Sequence, residues 1–422
     1  MSGTPKLPRS ILLLRNFNLH TPLVTYFESE IKNFELLELQ TGPGYDQRLP
    51  LFRLSIYERG MLSKSKDVGP TPNQTISRFL RRYPHSATLL SDLLCIGYLL
   101  RWRVKPSICV ITGPRLPSLL LTMISAYSIC YVADDYFRVA RESNNVIQFP
   151  VNHRSNSTEE KFAGTGLKAK LLQWYPIIAL QTVLQILSTE VWYLTKDIQF
   201  MWQRMKKAPI SPSKTKIVPY GVTPEIDFAP TIREKWVVYL GAHWKGHCLV
   251  TLISAMSHVK RIIPESKLLL IGEGPAPYLK ELKGLVTNLE LGDNVEFMGK
   301  RSRREAYLLI RRCMVGAALY EGPLLPNDSQ KFWEYISCGV PVLVTANVPS
   351  ANEIEANGAG AVVMCEEEEV ANALVTLLTD PIRWESCREG IDRLAEGRSS
   401  KTILRFALKN AQSYFEDKRT KS

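Results

Sequence analysis

Neither a metal cage nor a disulfide framework stands out in this sequence: its eight cysteines are scattered without a Cys-x-x-Cys pair, and there are only six histidines. Set in apolar surroundings, as at Cys109, Cys130, Cys313 and Cys365, the cysteines read as small buried residues and not as cross-links or ligands. An apolar run long enough to cross a bilayer is also missing. The most apolar window, Pro176 to Leu194, is broken by Gln181, Thr182, Gln185, Ser188 and Glu190, which suits an amphipathic or buried helix. Ile11 to Leu14 is too short for a secretory leader and reads as a first strand. The expectation is a cytoplasmic chain in which the sequons at Asn73, Asn156 and Asn327 are chance matches.

What is present is globular: 422 residues, 45% hydrophobic and 22% charged, enough for two domains. Charge is lopsided. Up to Phe228 there are 28 Lys and Arg against 17 Asp and Glu, a net of +11, while the remainder has 25 against 24, a net of +1. Such a field attracts an anionic surface, whether lipid headgroups, a phosphorylated acceptor or nucleic acid; the plainer reading is a solvated basic face. Arg78, Arg81, Arg82, Arg101, Arg103 and Lys105 interleave with Phe79, Leu80, Tyr98, Leu99, Leu100 and Trp102, as in a helix lying at a membrane interface or, equally, in one with a core stripe.

Along the chain, short apolar strands alternate with helical patterns, so a parallel sheet is expected in each half. In the first half ILLLR (11–15), FELLEL (34–39), SICVITGP (107–114) and YSICYVADDYF (127–137) read as strands, and the Gly-, Pro-, Ser- and Lys-rich run from Gly60 to Thr75 reads as a loop. In a doubly wound sheet the C-terminal ends of strands face the ligand. Asn16, Asn18 and His20 are therefore cleft candidates, and Asp134 or Asp135 could take a proton from an acceptor hydroxyl or hold a donor sugar, with a solvated acidic turn as the alternative. In the second half WVVYLG (236–241), KLLLIGEGP (267–275), NVEFMG (294–299) and MVGAALYEG (314–322) continue the alternation.

The stretch from Leu325 to Thr345, LPNDSQKFWEYISCGVPVLVT, is the most informative. Asp328 or Ser329 can cap a helix whose buried stripe is Phe332, Tyr335 and Ile336, while Lys331 and Glu334 share the other face. Gly339 fits the position just past the helix end, Pro341 stops the helix, and Val340, Val342, Leu343 and Val344 read as a strand buried on both faces. The start of such a helix favours an anion; a structural unit with a surface Lys–Glu pair is the plainer alternative.

The pattern Lys-x-x-Glu-Tyr-x-x-x-Gly-x-Pro-Val here resembles the donor-site helix of the family-4 glycosyltransferases and their GT-B relatives, and the likeness extends from about Lys216 to Asp380. It implies an α/β chain of two Rossmann-like domains with the active site in the cleft between them. Domain limits follow at 1–218 for acceptor binding and 219–390 for the nucleotide sugar, with a helical tail over 391–422 returning to the first domain. The activity implied is a hexosyltransferase-type reaction with retention, from a nucleotide-diphosphate sugar to a glycan or lipid-linked acceptor, without cofactor or metal.

Residue by residue, the resemblance makes Glu334 the ribose ligand, sets Ser329 and Lys331 at the diphosphate end of the helix, and puts Gly241, Gly272, Glu273 and Gly274 in the loops beside the nucleotide. Lys245 in GAHWKGH is the cation on the leaving group; Ala242 stands where relatives carry Arg. The earlier Glu that holds the donor sugar in the family falls on Pro326, leaving Glu321 as the nearest acid upstream. The phosphate-cradling Gly pair after the first strand is missing, as is any Asp-x-Asp metal motif. His243 and His247, four apart, lack a third ligand for a metal. Three alternatives stand beside it: a nucleic-acid-modifying glycosyltransferase, a nucleotide-binding protein without turnover, and a sugar-phosphate synthase or nucleotide-sugar epimerase of the same architecture.

Overall fold

The computed structural model describes residues 11–16, 27, 31, 33–39, 52–59, 61–67, 84–133, 178–204, 210–222, 232–322 and 328–420. Two units divide the chain, one formed by Met1–Pro219 with Lys401–Ser422 and the other by Tyr220–Ser400.

The first unit is an eight-stranded sheet built from β1 (Ile11–Asn16), β2 (Phe34–Leu39), β3 (Phe52–Glu58), β4 (Met61–Asp67), β5 (Ile108–Ile111), β6 (Tyr127–Val132), β7 (Glu190–Tyr193) and β8 (Thr215–Ile217), in the order β4-β3-β2-β1-β5-β6-β7-β8. Neighbours run parallel except β2–β3 and β3–β4. β4 corrects the expectation of a loop there: its MLSKSKD sequence has no apolar alternation because it is an edge strand and needs no buried face. Helices α1 (Pro84–Arg101), α2 (Leu116–Ile124) and α3 (Lys196–Arg204) lie between strands. Buried Glu190 receives hydrogen bonds from Tyr127 (2.9 Å) and Asn410, and an ion pair from Lys216 (2.7 Å). That carboxylate ties the C-terminal helix to this sheet.

The second unit is a wholly parallel sheet of six strands: β9 (Glu234–Leu240), β10 (Lys267–Ile271), β11 (Val295–Gly299), β12 (Cys313–Ala318), β13 (Val342–Thr345) and β14 (Gly360–Val363). Their order, β11-β10-β9-β12-β13-β14, reverses direction between β9 and β12. Ligands of doubly wound sheets bind at the C-terminal edge at such a reversal. Side chains alternate strictly: Val237, Tyr239, Leu268 and Leu270 enter one core, Val238, Leu269 and Ile271 the other. The connecting helices are α4 (Leu249–Ile262), α5 (Ala276–Asn288), α6 (Arg303–Arg312), α7 (Gln330–Ser337), α8 (Ala351–Asn357), α9 (Glu367–Thr379) and α10 (Pro381–Gly397). The tail expected as one amphipathic helix is two, α10 and α11 (Ser400–Thr420).

Two of the eight cysteines correct the reading that all are simple buried thiols: Cys248 and Cys365 are joined by a disulfide, while the other six are free and buried. Their sequence separation of 117 hides the pairing from any spacing rule.

Candidate active site

Helix α7 is amphipathic as expected, with Phe332, Trp333, Tyr335 and Ile336 buried. Its most consequential core residue is Tyr335. The hydroxyl accepts from the Leu240 amide (2.7 Å) and donates to the Ala317 carbonyl (3.2 Å), so it is wedged between β9 and β12 just past their last paired residues, Val238 and Gly316. Gly316 makes room for it: a Cβ there would lie 2.3 Å from the tyrosine ring. The reversal point of the sheet is thus held open by a side chain from α7.

Around that opening the loops interlock. The Gly241 amide donates to Ile271 and the His243 amide to Glu273, both at 2.9 Å, so the turn after β9 runs alongside the Gly272–Gly274 turn after β10. Gly272, at φ +140°, has no room for a side chain, because a Cβ would sit 1.9 Å from the Gly241 carbonyl. Lys331 reaches across from the first turn of α7, its Cε so close to Gly241 that a Cβ there would be 2.4 Å away. Its ammonium donates to the Tyr320 hydroxyl (2.8 Å) and stands 4.9 Å from the Tyr320 ring centroid and 5.4 Å from that of Tyr239. Among the described residues no carboxylate pairs with it.

Two histidines complete this box. Nδ1 of His247 lies 2.8 Å from both the Ala242 carbonyl and the Tyr239 hydroxyl, and its ring meets Tyr320 edge-on. His243 is buried, with neither ring nitrogen hydrogen-bonded. Burial first, and the Lys331 charge second, push His243 down to about 4 and His247 down to about 3. Both are therefore neutral at pH 7, and the positive charge of the box is that of Lys331.

Of the other expected residues, Glu334 is half-buried, with Oε1 accepting from Gln330 (2.7 Å). Ser329 occupies the N-cap position but does not cap: its hydroxyl is 2.5 Å from that of Tyr320. Asp328 does not cap either, since its Oδ2 accepts from the Trp333 indole (2.9 Å) and Ser350 (2.6 Å). Both corrections share a cause, that side chains outside the helix claim the capping oxygens. Lys245 is exposed in the 3₁₀ turn Lys245–His247, 3.2 Å from Glu281 and over the Tyr278 ring. Glu321 is exposed; its amide donates to Gly246 (3.1 Å), and its carboxylate lies within 4.8 Å of the two disulfide sulfurs. With Tyr320, Asn347 and Cys365 it lines a cavity of about 480 Å³ at the ends of β12 to β14. Glu273 is exposed and meets its neighbours through its backbone. Asp134, Asp135, Asn18, His20, Pro326 and the side chain of Asn16 lie outside the described residues.

Tyr239 and Tyr320 escaped the sequence reading, and His243 and His247 were weighed only as a metal pair. Their convergence depends on β12 lying beside β9, which no local spacing announces.

Asp328 carries a prediction of its own. Burial pushes its carboxyl up to about 6, against the lowering effect of Ser350 and Trp333. The folded state therefore holds this proton more tightly than the unfolded chain does. Stability from this group is fully present below about pH 4 and is lost as pH rises through about 6. Asp328→Asn should melt a few degrees above the parent at pH 7 and level with it near pH 4; a gap that does not change with pH would contradict this.

Residues 224–393 match the family model described as glycosyl transferases group 1. No curated protein sequence matches the chain. Sucrose-phosphate synthase of Thermosynechococcus elongatus is similar in structure at a TM-score of 0.62 and 15% identity, covering 98% of this chain and 100% of that one. Alr3699/HepE of Anabaena, solved in complex with UDP and glucose, has a TM-score of 0.61 and 15% identity over 96% of this chain and 100% of its own. WaaG, a glycosyltransferase involved in lipopolysaccharide biosynthesis, reaches 0.58 at 12% identity over 94% and 98%. The second unit is therefore a group 1 glycosyltransferase domain, carried in a chain with the GT-B fold of two Rossmann-like domains.

Proposed function

We propose that this glycosyltransferase moves a sugar from a nucleoside-diphosphate sugar to a hydroxyl of a lipid-linked or glycan acceptor at an anionic membrane face. The observation that carries the donor reading is Lys331, held between two tyrosine rings at the reversal point of the sheet, with no carboxylate partner among the described residues. A diphosphate there meets the ammonium and the N-terminal end of α7, both of which gain in strength as charge grows on the leaving group. Glu334 takes the ribose hydroxyls. HepE, of similar fold, was solved with UDP-glucose. Asp134 or Asp135 remains our proposal for receiving the acceptor proton, and Lys245 for a second cation on the diphosphate. The test is a panel of nucleoside-diphosphate sugars with release of the nucleoside diphosphate as readout, and product NMR to read retention at the anomeric carbon. Tight nucleotide binding with no turnover of any donor would leave a binding protein in place of an enzyme.

The acceptor side rests on the +11 of the first 228 residues and on α1. Leu89, Leu93, Leu100 and Trp102 are exposed beside exposed Arg101, Arg103 and Lys105, although Leu99, grouped with them from sequence, belongs to the core. No described helix is long and apolar enough to cross a membrane. Each basic residue near an anionic surface contributes about 1 kcal/mol, so a few suffice for reversible attachment. Anionic vesicles should sediment the protein in a salt-sensitive manner, neutral vesicles should not, and Leu100→Asp should weaken the attachment severalfold. Indifference to both vesicle types with tight DNA binding would favour nucleic acid instead.

A further inference from the structure

The hydroxyl of Tyr320 makes contacts that no reading of α7 by itself accounts for. It accepts from Lys331 Nζ at 2.8 Å and lies 2.5 Å from Ser329 Oγ, so a single oxygen connects the N-cap residue of the helix to the cation in its first turn. The residue is anchored at every other point. Its amide donates to Thr345 Oγ1 (3.0 Å), its carbonyl accepts from Asn347 (3.1 Å), and its ring stands edge-on to His247 at 5.2 Å. A long lysine side chain has several rotatable bonds and would otherwise sample many positions. Here its stem is laid against Gly241 and its tip fixed by a phenol whose own position is set from three sides. Occupation of Ser329 Oγ also explains why that side chain does not cap α7.

We propose that Tyr320 is a positioning residue for the leaving diphosphate: it holds the Lys331 ammonium over the Gly241 turn, where that anion would lie. The proposal rests on the donor reading above. A tyrosine serves this purpose where a carboxylate would not, because a phenol orients the ammonium without neutralising it, and the full charge remains for the ligand.

The test is a double-mutant cycle read by titration with UDP, ADP and GDP, using whichever the parent protein binds, together with the matching nucleoside without phosphates. Tyr320→Phe keeps the ring and should weaken diphosphate binding about five- to tenfold while leaving nucleoside affinity and melting temperature near the parent's. Lys331→Ala should weaken it more, and the double variant should be no worse than Lys331→Ala alone, since the hydroxyl acts through the lysine. Fully additive losses, or unchanged diphosphate affinity in Tyr320→Phe beside a clear loss in Lys331→Ala, would overturn the positioning role and leave the donor reading standing. A parent protein that binds none of the three diphosphates would overturn both.

Discussion

Reduction of the Cys248–Cys365 disulfide is expected to lower the stability of the second unit by about 2–4 kcal/mol. The bond closes a loop of 117 residues, long enough for the entropy withheld from the unfolded chain to be near the top of the usual range. It also fixes a local conformation. Cys248 sits at φ +46°, in the left-handed region that an ordinary side chain rarely occupies, directly after the Lys245–His247 turn. Without the bond that turn keeps only its hydrogen bonds. The remaining cysteines are buried, which pushes Cys95 and Cys109 up to about 12 and Cys313 well above the usual thiol range, so mild reductants and alkylating agents should discriminate. Denaturant midpoints with and without a dithiol, and of Cys365→Ser, give the measurement. Finding both cysteines alkylated without reduction, or coincident midpoints, would sink the prediction. A reducing compartment would hold the bond open, so redox surroundings set which form of the turn is present.

Glu334→Ala is expected to weaken nucleoside-diphosphate binding by about ten- to a hundredfold and to lower turnover. The basis is the loss of charge-assisted hydrogen bonds to the ribose, each worth about 1.5–3 kcal/mol. The residue is half-buried, with Gln330 beside it, and is not among the apolar core residues of α7, so folding should survive. The Glu334→Gln variant separates charge from shape: it keeps an acceptor oxygen and should recover part of the loss. Titration calorimetry on folded Glu334→Ala with unchanged affinity would remove Glu334 from the donor site, whatever becomes of Lys331.

What could be read from the sequence was what local periodicity encodes. Strands β10, β12 and β13 are apolar runs because both faces are covered, and α7 shows its polar face in Lys331 and Glu334 because its stripe recurs at helical spacing. Hidden was everything decided by which strands become neighbours. Tyr239 and Tyr320 reach the same lysine only once β12 is placed beside β9, and Cys248 meets Cys365 only when the whole second sheet has closed. Asp328 and Ser329 look like caps in sequence, where the competing Trp333, Ser350 and Tyr320 cannot be seen. The edge strand β4 was lost for the opposite reason, since a half-solvated strand has little pattern to show.

Where the chain enters and leaves the second unit, the two crossings are stitched together. The Val222 amide donates to Arg398 (2.8 Å) and the Ser400 amide returns to Val222 (3.0 Å). Lys401–Ser422 then completes the first unit. During synthesis the first unit must wait for Lys401–Ser422 to leave the ribosome, whereas everything the second unit needs emerges before that segment. The usual N-to-C order of maturation is thus inverted, and a ribosome stalled just after Ser400 has emerged would display a finished second unit beside an incomplete first one.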